Sequence, residues 1–352
     1  MNTTGSNAAT GAAQNVHNPD YLVDIQHERL SFFTPAGEVK ALNDVSLYVR
    51  PGEVLGIVGE SGSGKSVTAY SIMGLTAYPG RLIGGDIWFN GHHINEMSER
   101  EMRKMRGNEV SIIFQDPMTS LNPVYTIGNQ IREVILLHTS KNKAEANARA
   151  RELLTLVGIN EPDKRLKQYP HELSGGMRQR VMIAIALACE PKLLIADEPT
   201  TALDVTIQAQ ILELIMDLKK RLGMAVILIT HDLGVVAGTC DRIAVMYGGK
   251  VVESGLTDDI FYRPAHEYTK GLLVSIPNLK DQSHTRLVPI EGSPVDMLNP
   301  PAGCPFAPRC RSCMKVCLGR MPEYTHLTDS HYSACWLLDK AEFEQRQREE
   351  QA

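Results

Sequence analysis

The stretch Gly59-Glu60-Ser61-Gly62-Ser63-Gly64-Lys65-Ser66 decides the fold of this chain, because it carries the complete pattern G-x-x-x-x-G-K-S. An apolar run over residues 54–58 precedes it and predicts a buried strand, and residues 67–75 predict a helix. In this context glycines and the helix N-terminus turn backbone N–H groups toward phosphate oxygens. We therefore expect a nucleoside triphosphate, with Lys65 at its β- and γ-phosphates and the Ser66 hydroxyl on Mg²⁺.

A second motif is the apolar run over residues 193–196, which ends in Asp197 and Glu198. Such a run indicates a central parallel strand that is buried on both faces and meets the ligand at its C-terminal end. Asp197 is placed to hold Mg²⁺, directly or through water, and Glu198 to polarise an attacking water. If both were ordinary surface acids, the glycine-rich loop upstream would be a coincidence.

The turn Leu173-Ser174-Gly175-Gly176 lies between these two motifs. Its hydroxyl and backbone N–H groups can bind a phosphate, as in the first glycine-rich loop. One nucleotide site needs only one such cradle, so we interpret this turn as a contact to the nucleotide of another subunit.

Three further residues are weaker signals, and each lies just after one of the apolar runs or motifs. Gln115 follows the apolar run 110–113, where its amide can reach Mg²⁺ and water, and His231 follows the run 226–230 and faces the γ-phosphate region. Asp204 comes just after the acidic pair, on a turn that can touch a partner subunit. Each such residue alone more often has a structural role. Their order and spacing along this chain nevertheless support the interpretation that all three belong to one nucleotide site.

Taken together, these motifs resemble those of the nucleotide-binding subunit of an ABC transporter over roughly residues 21–255. Segments 114–123, 169–180 and 197–206 are similar to the peptide-importer branch. With its cysteine-rich tail, the chain resembles the first ATPase of bacterial oligopeptide/dipeptide permeases. The resemblance implies an α/β P-loop NTPase fold, an ABC-type nucleotide-binding domain with a helical subdomain at about residues 95–178, and a small Cys-rich C-terminal extension over residues 256–352.

The same resemblance implies roles for particular residues. Glu198 would be the catalytic base, His231 the γ-phosphate sensor, and Lys65 a neutraliser of phosphate charge. An aromatic residue would stack on adenine, for which Phe32 fits best by offset and Phe33 is the alternative, although either could be a core aromatic. Met177 stands where the family usually has Gln, which leaves open how well this turn supports hydrolysis in the opposite site.

Composition excludes several classes of protein. Lys and Arg number 36 against 41 Asp and Glu, a net charge of −5 with no basic block, so nucleic acid is not an expected partner. No apolar stretch approaches the ~20 residues that span a bilayer. Residues 1–20 are rich in Asn, Ala, Thr and Gly, which predicts a disordered tail rather than a signal peptide. We expect a cytosolic chain held peripherally at the cytoplasmic face of the inner membrane by partners.

Five of the seven cysteines lie beyond residue 255, at Cys304, Cys310, Cys313, Cys317 and Cys335. In a cytosolic chain a metal site is a better expectation than disulfides, and all-thiolate ligation beside prolines suits a [4Fe–4S] cluster. Zinc and reduced free thiols are the alternatives. In the family resemblance, Cys304, Cys310, Cys317 and Cys335 look like the cluster ligands. Cys313 is then either a spare thiol or a competitor of Cys317.

The predicted function is that of an ATP-hydrolysing subunit that powers peptide import across the cytoplasmic membrane. Its expected partners are a second, homologous ATPase in a heterodimer, two transmembrane permease subunits and an extracytoplasmic peptide-binding protein. Three alternatives stay open. They are an importer ATPase for another solute such as nickel, a soluble ABC ATPase acting on ribosomes or DNA, and a redox-sensing iron–sulfur ATPase.

Overall fold

A computed structural model describes residues 17–201, 204–275 and 289–339, together with residue 348. The predicted disordered tail therefore lies mostly outside the described residues, as do Ala202 and Leu203 before Asp204. Within the described ranges, no helix combines the length and apolar character needed to cross a membrane.

The described residues form two sets of elements, strands and helices. The strands are β1 (Val23–Thr34), β2 (Gly37–Val49), β3 (Val54–Val58), β4 (Gly80–Phe89), β5 (His92–His93), β6 (Val110–Ile113), β7 (Leu193–Asp197), β8 (Ala225–Thr230), β9 (Arg242–Tyr247), β10 (Lys250–Leu256), β11 (Thr325–His326) and β12 (Tyr332–Ser333). The α-helices are α1 (Lys65–Ile72), α2 (Glu99–Met105), α3 (Pro117–Ser120), α4 (Ile127–His138), α5 (Lys143–Leu156), α6 (Pro162–Arg165), α7 (Gly175–Ala186), α8 (Val205–Leu222), α9 (Leu233–Ala237), α10 (Thr257–Tyr262), α11 (Glu267–Val274) and α12 (Lys315–Gly319).

The larger sheet has the strand order β11-β12-β10-β9-β3-β8-β7-β6. Neighbouring strands from β9 to β6 are parallel, whereas β10, β12 and β11 pair antiparallel at one side. The predicted α/β fold of the P-loop ATPase type is confirmed. Because β3, β6, β7 and β8 are parallel, the loops that follow them leave the same edge of the sheet.

Both faces of this sheet are buried, and successive side chains alternate between two cores. On β3, Val54 and Val58 belong to a core shared with the helices, while Leu55 and Ile57 belong to a core shared with the smaller sheet. Full burial of such an aliphatic side chain contributes about 1.5–3 kcal/mol. This explains why the strands read as continuous apolar runs in the sequence.

A smaller antiparallel sheet with the order β2-β1-β4-β5 covers the second core together with α1. The helical side consists chiefly of α4, α5 and α7, which pack against one another in the first core. Helix α5 begins with a capping box in which Asn142 accepts hydrogen bonds from the first turn and Glu145 bonds back to it. Strand β6 lies inside the predicted helical subdomain range, yet it belongs to the large sheet.

The cysteine-rich segment is built onto this core in the part of the chain that the structure describes. Strand β12 pairs with β10, with Ser333 opposite Glu253. Phe306, Cys304 and Trp336 belong to the same core as the helices. The segment therefore extends the large sheet and shares its packing.

One carboxylic acid is buried in the second core. Glu28 on β1 is 0% exposed. Burial raises the pKa of Glu28 to about 8. The side chain is therefore neutral at pH 7 in the folded state and ionised in the unfolded state.

We expect Glu28→Gln to remove a pH dependence of stability. Between the ordinary pKa of about 4.5 and the folded pKa of about 8, only the folded state holds the proton, so stability falls as pH rises. The loss is about 1.4 kcal/mol per pH unit in that window. The melting temperature of Glu28→Gln relative to wild type should thus increase from pH 5 to pH 8. Glu133→Gln, at an exposed position on α4, is the control, and an equal pH trend in both variants would contradict the expectation.

Candidate nucleotide-binding site

A cavity of about 700 Å³ lies at the edge where the parallel strands end. It gathers residues that are more than two hundred positions apart in the sequence. Its lining comprises Gly59, Glu60, Ser61, Gly62, Ser63, Gly64, Lys65, Ser66, Val67, Gln115, Glu198, Thr201, His231 and Leu272. The structure therefore brings the predicted phosphate-binding loop together with Gln115, Glu198 and His231.

The glycine-rich loop depends on two glycines for its shape. A Cβ on Gly59 would lie 2.2 Å from the carbonyl oxygen of Met246, and the φ of Gly59 is +155°. Gly64, with φ +102°, begins helix α1, and its Cβ would lie 2.9 Å from the carbonyl oxygen of Ala41. Backbone and core therefore enclose the loop so closely that only glycine fits at these two positions.

Lys65 is held inside this loop. Its Nζ donates hydrogen bonds to the carbonyl oxygens of Gly59 over 2.8 Å and Glu60 over 2.9 Å. Burial lowers the pKa of Lys65, while Glu198, Asp197 and Glu60 act in the opposite direction. The ammonium group thus lies ready to move from backbone carbonyls to phosphate oxygens.

Asp197 is clamped by two hydroxyl groups of α1. The Ser66 hydroxyl donates to Oδ1 over 3.0 Å and the Tyr70 hydroxyl donates to Oδ2 over 2.7 Å. Burial raises the pKa of Asp197, and both hydrogen bonds oppose that rise. Ser66, Asp197 and Gln115 offer the oxygen ligands that Mg²⁺ prefers.

Tyr70 was not predicted from the sequence. Its spacing from Ser66 is the signal that could have revealed it. Residues four apart on a helix lie on the same face, so the side chain of Tyr70 reaches the same carboxylate as Ser66 does. Thr201 was also missed, although it lies three residues after Glu198 on the turn that follows β7.

Glu198 is held by side chains from three different loops. Gln115 Nε2 and Thr201 Oγ1 each donate to Oε2 over 2.9 Å, and His231 Nδ1 lies 3.3 Å from Oε1. The backbone of Glu198 adopts a left-handed conformation with φ +46°, which a non-glycine residue adopts rarely. The arrangement fixes the direction of a carboxylate that can accept a proton from water.

Three other predicted site residues are not among those that line this cavity. The Ser174 hydroxyl accepts from the N–H of Met177 at the start of α7, and Asp204 accepts from the N–H of Ile207 at the start of α8. Phe32 lies on β1 and packs against the second core. The predicted contacts of Gly175 and Gly176 to a second nucleotide, like the stacking of Phe32 on adenine, stay predictions.

The cysteine prediction finds no support in the described part of the chain. There, no group of three or more His, Cys, Asp or Glu side chains is placed to hold a metal ion. Cys304 and Cys317 are buried and joined by a backbone hydrogen bond of 2.8 Å. Cys310, Cys313 and Cys335 are half-buried.

Two family models match parts of this chain. Residues 42–201 match the family model described as ABC transporter, and residues 252–317 match the one described as oligopeptide/dipeptide transporter, C-terminal region. The dipeptide transport ATP-binding protein DppD of Bacillus subtilis is 53% identical over 320 residues, which cover 91% of this chain and 95% of that protein. The oligopeptide transport ATP-binding protein OppD of Escherichia coli is 52% identical over 317 residues, which cover 90% and 93%.

Solved structures share the fold over the nucleotide-binding part. The ATP-binding cassette MJ0796, in a dimeric post-hydrolysis state bound to ADP and Pi, matches with a TM-score of 0.61 at 28% identity. The match covers 67% of this chain and 98% of that one. CbiO1 of Clostridium perfringens, part of the ABC transporter complex cbiONQ, matches with a TM-score of 0.60 at 29% identity, over 69% of this chain and 92% of that one.

Fold and site together define an ATP-binding cassette, the P-loop ATPase unit of ABC transporters. Within that class, the chain belongs to the family of ATP-binding subunits of peptide ABC transporters. The family resemblance predicted from the sequence motifs is confirmed.

Tyr70→Phe should weaken the binding of Mg²⁺ at this site measurably. Without the hydroxyl, Asp197 loses one of two donors that favour its charged form against burial. We expect the Mg²⁺ concentration for half-maximal ATP hydrolysis to rise about tenfold or more, since a hydrogen bond to a charged group contributes about 1.5–3 kcal/mol. Tyr78→Phe, at a side chain that is 93% exposed, should leave it unchanged. An unaltered Mg²⁺ requirement in Tyr70→Phe would show that Tyr70 has no part in orienting Asp197.

Proposed function

We propose that this chain is the ATP-hydrolysing subunit that powers peptide import across the cytoplasmic membrane as part of a multisubunit ABC transporter. The observation that carries the proposal is the convergence of the glycine-rich loop, Gln115, Glu198 and His231 on one cavity. The match of residues 252–317 to the C-terminal region of oligopeptide/dipeptide transporters favours peptides over other solutes.

Phosphate binding is the first task of the site. Lys65 would leave the carbonyl oxygens of Gly59 and Glu60 and pair with the β- and γ-phosphates of ATP. Ser66, Asp197 and Gln115 would hold Mg²⁺, which when bound neutralises charge on the phosphates. N–H groups at the N-terminus of α1 would complete the cradle.

Hydrolysis requires a directed water and a base. Glu198 accepts hydrogen bonds from Gln115 and Thr201 on one carboxylate oxygen, so its other oxygen can turn toward water. His231 lies beside that second oxygen and lines the cavity, where it can contact the γ-phosphate region. Glu198 and His231 would thus supply a proton acceptor and a γ-phosphate contact side by side.

A second ATPase subunit would complete each site. Ser174 and Gly175 are exposed at the start of α7, away from the cavity of their own chain, so they are available to the nucleotide of a partner. ATP bound between two subunits would favour their closed arrangement over the open one. We propose a homologous, non-identical ATPase as the partner, with Asp204 at the shared surface.

The remaining partners would be two transmembrane permease subunits and an extracytoplasmic peptide-binding protein. The chain would then sit peripherally at the cytoplasmic face of the inner membrane, with the permeases docked near the Gln115 loop. Closing and opening of the ATPase pair would move the permeases and so couple hydrolysis to transport. Purification of the chain from membranes and identification of the subunits that accompany it test this assembly.

Glu198→Gln should abolish turnover while ATP still binds. Removing a positioned base costs about 10²- to 10⁴-fold in rate, whereas the glutamine amide keeps the shape of the site. The measurement is ATP hydrolysis, nucleotide retention and ATP-dependent peptide uptake by the reconstituted complex. Glu213→Gln, at an exposed position on α8, is the matched control. Hydrolysis at the wild-type rate by Glu198→Gln would refute its role as the base.

We propose further that Cys304, Cys310, Cys317 and Cys335 bind a [4Fe–4S] cluster. Burial raises the pKa of the Cys304 thiol to about 12, and the N–H of Cys304 donates to the carbonyl oxygen of Cys317 over 2.8 Å, so the backbone segments that carry these two cysteines are adjacent. Four thiols suit iron–sulfur ligation, in which the metal stabilises the thiolate form. When bound, the cluster would cross-link the parts of the extension that carry these four cysteines.

Iron and acid-labile sulfide analysis of the anaerobically purified complex tests this site. We expect stoichiometric iron and sulfide in wild type, their loss in Cys310→Ser, and their retention in Cys189→Ser. Zinc without sulfide would support a zinc site, and neither metal would support reduced thiols. Retention of iron by Cys313→Ser would leave Cys317 as the ligand.

A further inference from the structure

One negative side chain lies inside the phosphate-binding loop itself. Glu60 is the second residue of the loop and lines the cavity beside Lys65. An uncompensated carboxylate there would repel the phosphates of a nucleotide. Since Lys65 serves the phosphates, the loop needs a different cation to neutralise Glu60.

Arg309 of the C-terminal extension supplies this cation. Its Nη1 and Nη2 donate to the two carboxylate oxygens of Glu60 over 2.6 and 3.0 Å, which makes a bidentate ion pair. The Arg309 side chain is 5% exposed and that of Glu60 26%, so water and salt screen the pair only in part. The hydrogen bonds to Glu60 raise the pKa of Arg309 above its ordinary value.

The guanidinium of Arg309 uses every N–H group that it has. Besides the two bonds to Glu60, Nη1 donates to the Tyr247 hydroxyl over 3.2 Å. Nη2 donates to the carbonyl oxygen of Ile290 over 3.1 Å, and Nε donates to that of Glu291 over 3.0 Å. A lysine has three donors from one nitrogen and cannot reproduce this planar arrangement.

A second contact fixes the backbone of the same loop residue. The N–H of Glu60 donates to the Tyr268 hydroxyl over 2.8 Å. Tyr268 lies on α11, is fully buried, and packs against Phe306 with ring centroids 5.3 Å apart. Phe306 and Arg309 belong to the same segment of the extension, so this segment supports both the backbone and the side chain of Glu60.

We propose that Arg309, supported by Tyr268, is a positioning residue of the ATP site, through which the C-terminal extension neutralises and anchors the phosphate-binding loop. This inference rests on the proposed ATP-binding function and deepens it. Arg309 does not line the cavity itself. It acts by holding Glu60 so that the N–H groups of the following residues keep their direction and the loop presents no net negative charge to phosphate.

Equilibrium binding of ATP to the purified complex tests the proposal. We expect Arg309→Ala and Arg309→Lys each to raise the Kd for ATP by about tenfold or more, in the range of a coupling between neighbouring sites. Arg311→Ala is the matched control, because Arg311 is 71% exposed and pairs only with Glu291, which is 79% exposed, among the ion pairs of the described residues. Its Kd should equal that of wild type.

The double variant separates positioning from folding. With Arg309→Ala in place, Glu60→Gln removes the repelling carboxylate and should recover most of the lost affinity. A purely structural role of Arg309 predicts no recovery, and thermal unfolding of each variant reports on folding. Two results would overturn this inference alone. One is an unchanged Kd for ATP in both Arg309 variants. The other is a loss of ATP affinity in the double variant that equals the sum of the losses in Arg309→Ala and Glu60→Gln. Failure of the wild type to bind ATP would overturn the proposed function and this inference with it.

Discussion

Backbone hydrogen bonding between neighbouring parallel strands is the constraint on which this molecule depends. Val58 at the end of β3 lies opposite Thr230 of β8, and Asp197 at the end of β7 lies opposite Ile229 of the same strand. Because the strands run in one direction and end level with one another, every following loop emerges at one edge. The loop of Lys65, the acidic pair, Gln115 and His231 meet there for that reason, although the sequence separates them widely.

The site then depends on a balance of charge within this small space. Acidic groups from the end of β7 and from the phosphate-binding loop lie near Lys65. Each of these carboxylates has its own hydrogen-bond or ion-pair partners. Hydroxyl groups of α1 bond Asp197, amide and hydroxyl groups hold Glu198, and Arg309 pairs with Glu60. In the proposed function, Lys65 would thereby be left for the phosphates. The C-terminal extension takes part in this balance and is joined to the nucleotide site by direct bonds.

Much of the site could be predicted from the sequence because its motifs are local. The glycine-rich loop needs a strand before it and a helix after it, and both are visible as apolar patterns around Lys65. Tyr70 and Arg309 escaped prediction for different reasons. Tyr70 shares a helix face with Ser66, so spacing could have revealed it, whereas Arg309 lies 249 positions from its partner Glu60 and no local pattern links the two.

The sequence by itself determined the class of the fold and the chemistry of the phosphate site. Apolar runs of strand length and a complete glycine-rich pattern allow few other outcomes, because each depends on neighbouring residues alone. Only the tertiary structure decided which distant groups complete the site. These are the hydroxyl groups bonded to Asp197, the three side chains that contact Glu198, and Arg309, which pairs with Glu60. Such contacts depend on how the sheet edge and the extension pack together, and that packing brings residues together without regard to their distance along the chain.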